Sequence, residues 1–143
     1  MGKLLLDDLG DYLASGGVGL TVGTNLFLGF LPEQPDDAVA VYETGGRPPA
    51  HAMNALAGQA VAEYPRVQVV ARATSFGYPG ARQRMANIYK LLDGLPTRTI
   101  NGTQYDWGSA VSPPHAYGRD KQERVLIACS FDLAKRLSSS TST

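Results

Sequence analysis

The residues able to do chemistry are few, and their spacing does not bring them together. A metal site needs several His, Cys or carboxylate ligands at short intervals. This chain has two histidines, His51 and His115, in separate loops, and one cysteine, Cys129, with no His-x-x-x-His or Cys-x-x-Cys spacing. A Cys–His nucleophile would have to use the same residues, yet Cys129 alternates with Ile127 and Phe131 and reads as a small core residue. No Gly-x-Ser-x-Gly elbow occurs. The carboxylates do not converge: Asp7, Asp8 and Asp11 are expected on the outer surface of a helix, and Asp36 and Asp37 in a turn. Gly16-Gly17-Val18-Gly19 follows a helix and precedes a strand, the reverse of a phosphate loop, so it reads as a helix stop. Asn101-Gly102-Thr103 matches a glycosylation sequon but coincides with a turn, in a chain showing no secretory signal. No catalytic, cofactor-binding or metal-binding residue is expected. Tyr78, Tyr89, Tyr105, Trp107 and Tyr117 are candidates for a contact surface, with ordinary core and sheet packing as the alternative.

The composition narrows the class. The chain has 143 residues, 43% hydrophobic and 18% charged, which suits one globular domain with one core. Thirteen Lys and Arg against thirteen Asp and Glu leave no net charge, so this is not the basic surface of a duplex-binding protein. Little charge keeps such a subunit from its neighbours, a balance compatible with self-assembly. A single cysteine excludes internal disulfide stapling. The apolar runs fall short of the roughly 20 residues of a membrane-spanning helix, and Asp7, Asp8 and Asp11 interrupt the leader-like N-terminus. Position 6, where a myristoylation signal needs Ser or Thr, is Leu6. No membrane association is expected.

The elements that would position these residues follow from hydrophobic period. Lys3 to Ser15 predicts a helix burying Leu5, Leu9, Tyr12 and Leu13 and ending at Gly16-Gly17. Gly19 to Leu31 alternates like a strand, with Leu20, Val22, Leu26, Leu28 and Phe30 on one face. A turn at Leu31 to Asp37 leads to a second strand, Ala38 to Thr44, the two expected to pair antiparallel. A connection from Gly45 to about Pro65, with a helical turn somewhere in His51 to Glu63, is long enough to be functional. Arg66 to Thr74 is a strand, and Pro79 opens a helix burying Ala81, Met85, Ile88 and Leu92 before Gly94 and Pro96. Asn101-Gly102 marks a hairpin, because a type I′ turn needs two positive φ angles. Ser112 to Lys121 reads as a loop, Arg124 to Leu137 as the longest alternating strand, and Ser138 to Thr143 as a disordered polar tail. The result is a single α+β domain over 1–137 with order α-β-β-β-α-β-β-β, a mostly antiparallel sheet and both helices on one face.

Two stretches resemble a known family. Tyr42-Glu43-Thr44-Gly45-Gly46-Arg47-Pro48-Pro49 is followed by the strand Val67 to Ala73, which bears Arg72. Then comes a helix carrying Ala81-Arg82, Ala86, Ile88-Tyr89 and Leu91-Leu92-Asp93-Gly94. The succession is similar to the minor capsid or tail terminator proteins of long-tailed bacteriophages, its specific part lying between Tyr42 and Gly94 and its extent reaching from about Leu4 to Leu137.

The resemblance implies a structural virion protein that forms a hexameric ring on the head-proximal end of the tail tube. Such a ring stops tube elongation and presents the head–tail joining surface. It implies partners in a second copy of the chain, the tail tube protein and a head-completion or connector protein. Viral DNA would pass through the lumen without sequence-specific contact. The location implied is the virion tail and neck, with assembly in the host cytoplasm. The family carries no catalytic residues, so none are transferred. Arg47, Arg72, Arg82, Trp107 and His115 are the residues expected at interfaces; for Arg72 and Arg82 the alternative is a solvated surface. Two other readings stay open. One is a different neck or head-closure component; the other is a small α+β enzyme or ligand-binding domain with a pocket near Tyr105, Trp107 and His115.

Overall fold

The computed structural model describes residues 4–50 and 62–136. Two helices, α1 (Leu5–Ser15) and α2 (Tyr78–Leu92), accompany seven strands. The strands are β1 (Leu26–Leu28), β2 (Ala38–Ala50), β3 (Ala62–Ala73), β4 (Arg98–Ile100), β5 (Thr103–Ala110), β6 (His115–Arg119) and β7 (Val125–Arg136). They form one sheet ordered β1-β2-β3-β7-β5-β4, with β6 added on β7. All pairings are antiparallel except β1 with β2. This is the expected α+β class.

β3 and β7 form the centre. Alternation puts Val67, Val69, Ala71 and Ala73 of β3, and Val125, Ile127, Cys129, Phe131 and Leu133 of β7, into one buried cluster. Both helices contribute to that cluster, α1 with Leu5, Leu9 and Leu13 and α2 with Ala81, Met85, Ile88 and Leu92. The spacing of those four α2 residues is the one expected of a helix face. Pro79 lies in the first turn, where its missing N–H costs nothing. The Asn101-Gly102 turn has φ of 51° and 83° and sets Ile100 opposite Thr103.

Four expectations are corrected. The strand expected over Gly19–Leu31 shrinks to Leu26–Leu28, because Asn25 folds the preceding segment into a turn. Its side chain accepts from the Thr21 N–H at 2.7 Å and donates to the Gly19 carbonyl at 2.9 Å. Val22 and Phe30, expected on one face with Leu20 and Leu26, are therefore exposed while Leu20 and Leu26 are buried. That strand also pairs parallel with β2, Leu26 opposite Val39, so the chain must cross back through Gly29–Asp37 rather than turn tightly.

The connection expected from Gly45 is strand at both of its described ends: β2 runs on to Ala50 and β3 begins at Ala62. The helical turn expected in His51–Glu63 lies outside the described residues over 51–61, and Ala62 and Glu63 are strand. The Ser112–Lys121 loop contains β6, whose five side chains are all exposed and so show no alternation. β6 forms because the outer edge of β7 from Val125 to Ala128 would otherwise leave buried backbone groups unpaired. The polar tail over 138–143 lies outside the described residues.

Ile127 has no exposed surface and sits in the middle of this cluster. Ile127→Asp buries an unpaired carboxylate at a cost of several kcal/mol, against a total stability on the order of 5–15 kcal/mol. The expected outcome is loss of the cooperative thermal transition in circular dichroism, with Ile127→Val retaining it.

Candidate assembly surface

The crossing loop between β1 and β2 is held by two buried cations. Arg72 extends from β3 on the face away from the helices, since its neighbours Ala71 and Ala73 point into the core. Its guanidinium donates to the carbonyls of Pro35 at 2.6 Å, Asp36 at 3.2 Å and Glu33 at 3.4 Å. Arg124, just ahead of β7, donates to the Glu33 carbonyl, to Asp120 at 2.7 Å and to Asp36 at 3.2 Å. The two residues are each only 4% exposed. Burial, together with the neighbouring Arg124 charge, pulls the Arg72 guanidinium below its ordinary range, against the pull of Asp120, Asp36 and Glu33. Burial also opposes the charge on Arg124, but its bonds to Asp120 and Asp36 outweigh that and raise it. Burial likewise acts to raise the Asp120 carboxyl, and the donors of Arg124 and Gln122 overcome it and hold it below the ordinary range.

α1 is pinned at the other end of the sheet. Asp8, expected on the outer surface, is fully buried and accepts from the Tyr105 hydroxyl and, at 3.0 Å, from the Asn101 amide. Burial and the adjacent Asp8 push the Tyr105 hydroxyl far above its usual range, so it remains a proton donor. Asn101 also donates to Asp11 at 2.9 Å. Arg98 lies 4.8 Å from the centre of the Tyr12 ring, and the Tyr12 hydroxyl donates to the Leu91 carbonyl at 3.2 Å. α1 is thus tied to the β4–β5 hairpin and to the end of α2.

The Thr44-Gly45-Gly46 turn is a bulge in β2. Gly45 and Gly46 have φ of 96° and 125°, and the ladder with β3 shifts between Glu43 and Gly46. A Cβ on Gly46 would lie 2.1 Å from the Tyr64 carbonyl oxygen, so only glycine fits. Beyond the bulge Arg47 stands opposite Tyr64. Among the described residues β1 covers β2 only from Val39 to Val41, which leaves the outer edge of β2 beyond that point without a ladder partner.

The residues expected at interfaces do not form one cluster. Arg72 spends its guanidinium inside the chain. Arg82 is half-buried on α2, and Arg47 lies in the outer part of β2. Trp107 stacks on Tyr64, ring centres 6.5 Å apart, and is 37% exposed. His115 is exposed at the start of β6. Trp107 pairs with Ala134 and His115 with Ala128. Six steps along β7 separate them by about 20 Å at roughly 3.3 Å per residue. With Tyr105 fully buried, these three residues line no common pocket. Cys129 is buried, donates to the Ser112 carbonyl at 3.1 Å, and has its thiol pushed up to about 11 by burial, so it stays a thiol at neutral pH.

The other exposed apolar residues are spread over the surface. Leu4 precedes α1, Val22 and Phe30 flank β1, Val111 lies between β5 and β6, Tyr117 is on β6, and Phe76 with Tyr78 forms the turn entering α2. Phe76 is 99% exposed on a turn that Ser75 and Arg119 brace, their side chains 2.6 Å apart. Sequence reading missed Arg124 and Asp8, since a single charged residue beside an apolar run gives no periodic signal.

Two outcomes test these assignments. Arg124→Met is expected to cost about 1–3 kcal/mol by stranding acceptors in the crossing loop, read as a lower Tm. Because the Asp120 carboxyl is held low in the folded state, its contribution is present above its unfolded value of about 4 and lost as pH falls below it. The Tm gap between wild type and variant should therefore narrow between pH 5 and pH 3. Gly46→Ala is expected to open the ladder beyond the bulge while leaving the core. Hydrogen exchange should speed up at Tyr64 and Arg66, with a stability loss of about 1–3 kcal/mol.

Comparison with known proteins gives one structural likeness and one family match. One solved structure aligns with TM-score 0.56 and 14% identity, over 94% of this chain and 92% of its own. A protein from Akkermansia muciniphila aligns with TM-score 0.37 and 14% identity, over 96% of this chain and 52% of its own. No curated protein matches by sequence. The family model described as bacteriophage tail terminator protein matches residues 12–136, from the end of α1 to the end of β7. The chain therefore belongs to the bacteriophage tail terminator family.

Proposed function

We propose that copies of this chain close into a hexameric ring that seats on the head-proximal end of a phage tail tube. There the ring stops tube polymerisation and presents the surface that joins the DNA-filled head. The family match across residues 12–136 carries this reading, and a tail terminator is a component of the virion tail. The chain acts by shape and contact rather than by catalysing a reaction. Its partners are further copies of itself, the tail tube protein and a head-completion or connector protein, met during assembly in the host cytoplasm.

Two physical features support the reading. A closed ring requires a heterologous contact, in which one patch meets a different patch on the next subunit. The exposed apolar residues beside β1, Val22 and Phe30, and on β6, Tyr117, are two such patches, on different edges of the sheet. The absence of net charge suits a lumen through which duplex DNA slides, since clustered Lys and Arg would retain phosphates.

The test is tube growth. Tail tube protein is polymerised with and without this chain, and tube lengths are measured by electron microscopy. Tubes that stop growing, with this chain at one end only, are the expected result. Tubes that elongate equally in its presence, or carry it along their sides, overturn the reading.

A further inference from the structure

We propose that the outer face of α2 packs against the α1–β1 edge of a second copy of this chain, a basic helix on one subunit meeting an acidic helix on the next. This rests on the ring reading above and gives it a specific contact.

The argument starts from how the charge is divided. α1 carries three aspartates and no basic residue, whereas α2 carries Arg82, Arg84 and Lys90 and no acidic one. The zero net charge of the chain thus conceals two helices of opposite sign on the same side of the sheet. Most described arginines elsewhere are engaged: Arg66 with Asp132, Arg124 with Asp120 and Asp36, Arg136 with Asp106, and Arg72 with loop carbonyls. Among the described residues, Arg82, Arg84 and Lys90 form no ion pair. On α1, Asp8 is consumed inside the fold, while Asp7 is exposed and makes no ion pair among the described residues.

Apolar surface accompanies both helices. Beside α1 the β1 edge exposes Val22 and Phe30, and at the entry to α2 the turn exposes Phe76 and Tyr78. Opposite charges flanking apolar patches on different elements make the two patches complementary to each other in a head-to-tail contact. Such a contact repeats from copy to copy and closes when the rotation permits. Like charges would oppose the alternative, helix α2 against helix α2, which sets the orientation.

The test uses charge reversal in the full chain. One variant is Asp7→Lys and the other combines Arg84→Glu with Lys90→Glu; Asp7 and Lys90 are exposed and Arg84 is half-buried, so folding is checked by circular dichroism. Association is followed by analytical ultracentrifugation under the conditions in which wild type assembles, alone or on tube protein. Each variant alone should associate on the order of tenfold more weakly than wild type. Mixing the two should restore mixed oligomers, because each reversed helix then meets its opposite. Variants that assemble like wild type, or that fail to rescue each other, overturn this contact while leaving the ring reading in place. Wild type that stays monomeric with and without tube protein overturns the ring reading itself, and this contact with it.

Discussion

β3 and β7 lie side by side along almost their whole lengths, Ala62 opposite Arg136 and Ala73 opposite Val125, and the other elements are arranged around that pair. Their inward residues supply the floor on which both helices pack. On the outward face the pair is held together by charge, Arg66 donating to Asp132 at 2.7 and 3.2 Å across the ladder. The free side of β3 takes β2, and the free side of β7 is divided between β6 near its start and β5 near its end. Once two long strands are buried at the centre, every neighbouring backbone group needs a partner, and the shorter strands supply them.

That constraint has a cost at the β1 side. A parallel strand next to β2 forces the chain to cross back, and a crossing loop carries carbonyls that no ladder satisfies. Arg72 and Arg124 answer this with two guanidinium groups on the loop carbonyls, countered by Asp36 and Asp120. The loop is thereby fixed, and the edge beyond it is left with exposed apolar side chains. At the other end Asp8 and Tyr105 do a similar service, tying α1 to the hairpin through one buried bond. The buried charges thus tie the crossing loop and α1 to the sheet at its two sides.

The central elements were legible because period and burial agree in them. Val125, Ile127, Cys129, Phe131 and Leu133 alternate and are buried together, and Ala81, Met85, Ile88 and Leu92 recur at helical spacing and face the core. The Asn101-Gly102 turn was legible because only a few residue pairs accept its φ angles. β6 was not legible, since all its side chains are exposed and only the backbone calls for it. Gly19–Leu31 misled because alternation alone carries no information on the turn that Asn25 makes. Buried charges escaped for a related reason. Asp8 looked like the two aspartates beside it, and its partners stand at positions 101 and 105. The Gly45-Gly46 pair read as the start of a connection, because a glycine pair ends a strand as readily as it permits a bulge within one.

The chain has a core braced by buried charges and two helices of opposite charge. It belongs to the tail terminator family, and the ring proposed for it is what remains to be measured. The most direct measurement is the mass of the purified chain by light scattering after size exclusion, alone and with tail tube protein. A species of about six 15.2 kDa subunits, formed alone or only on the tube, is the result predicted. A strict monomer indifferent to the tube would contradict it.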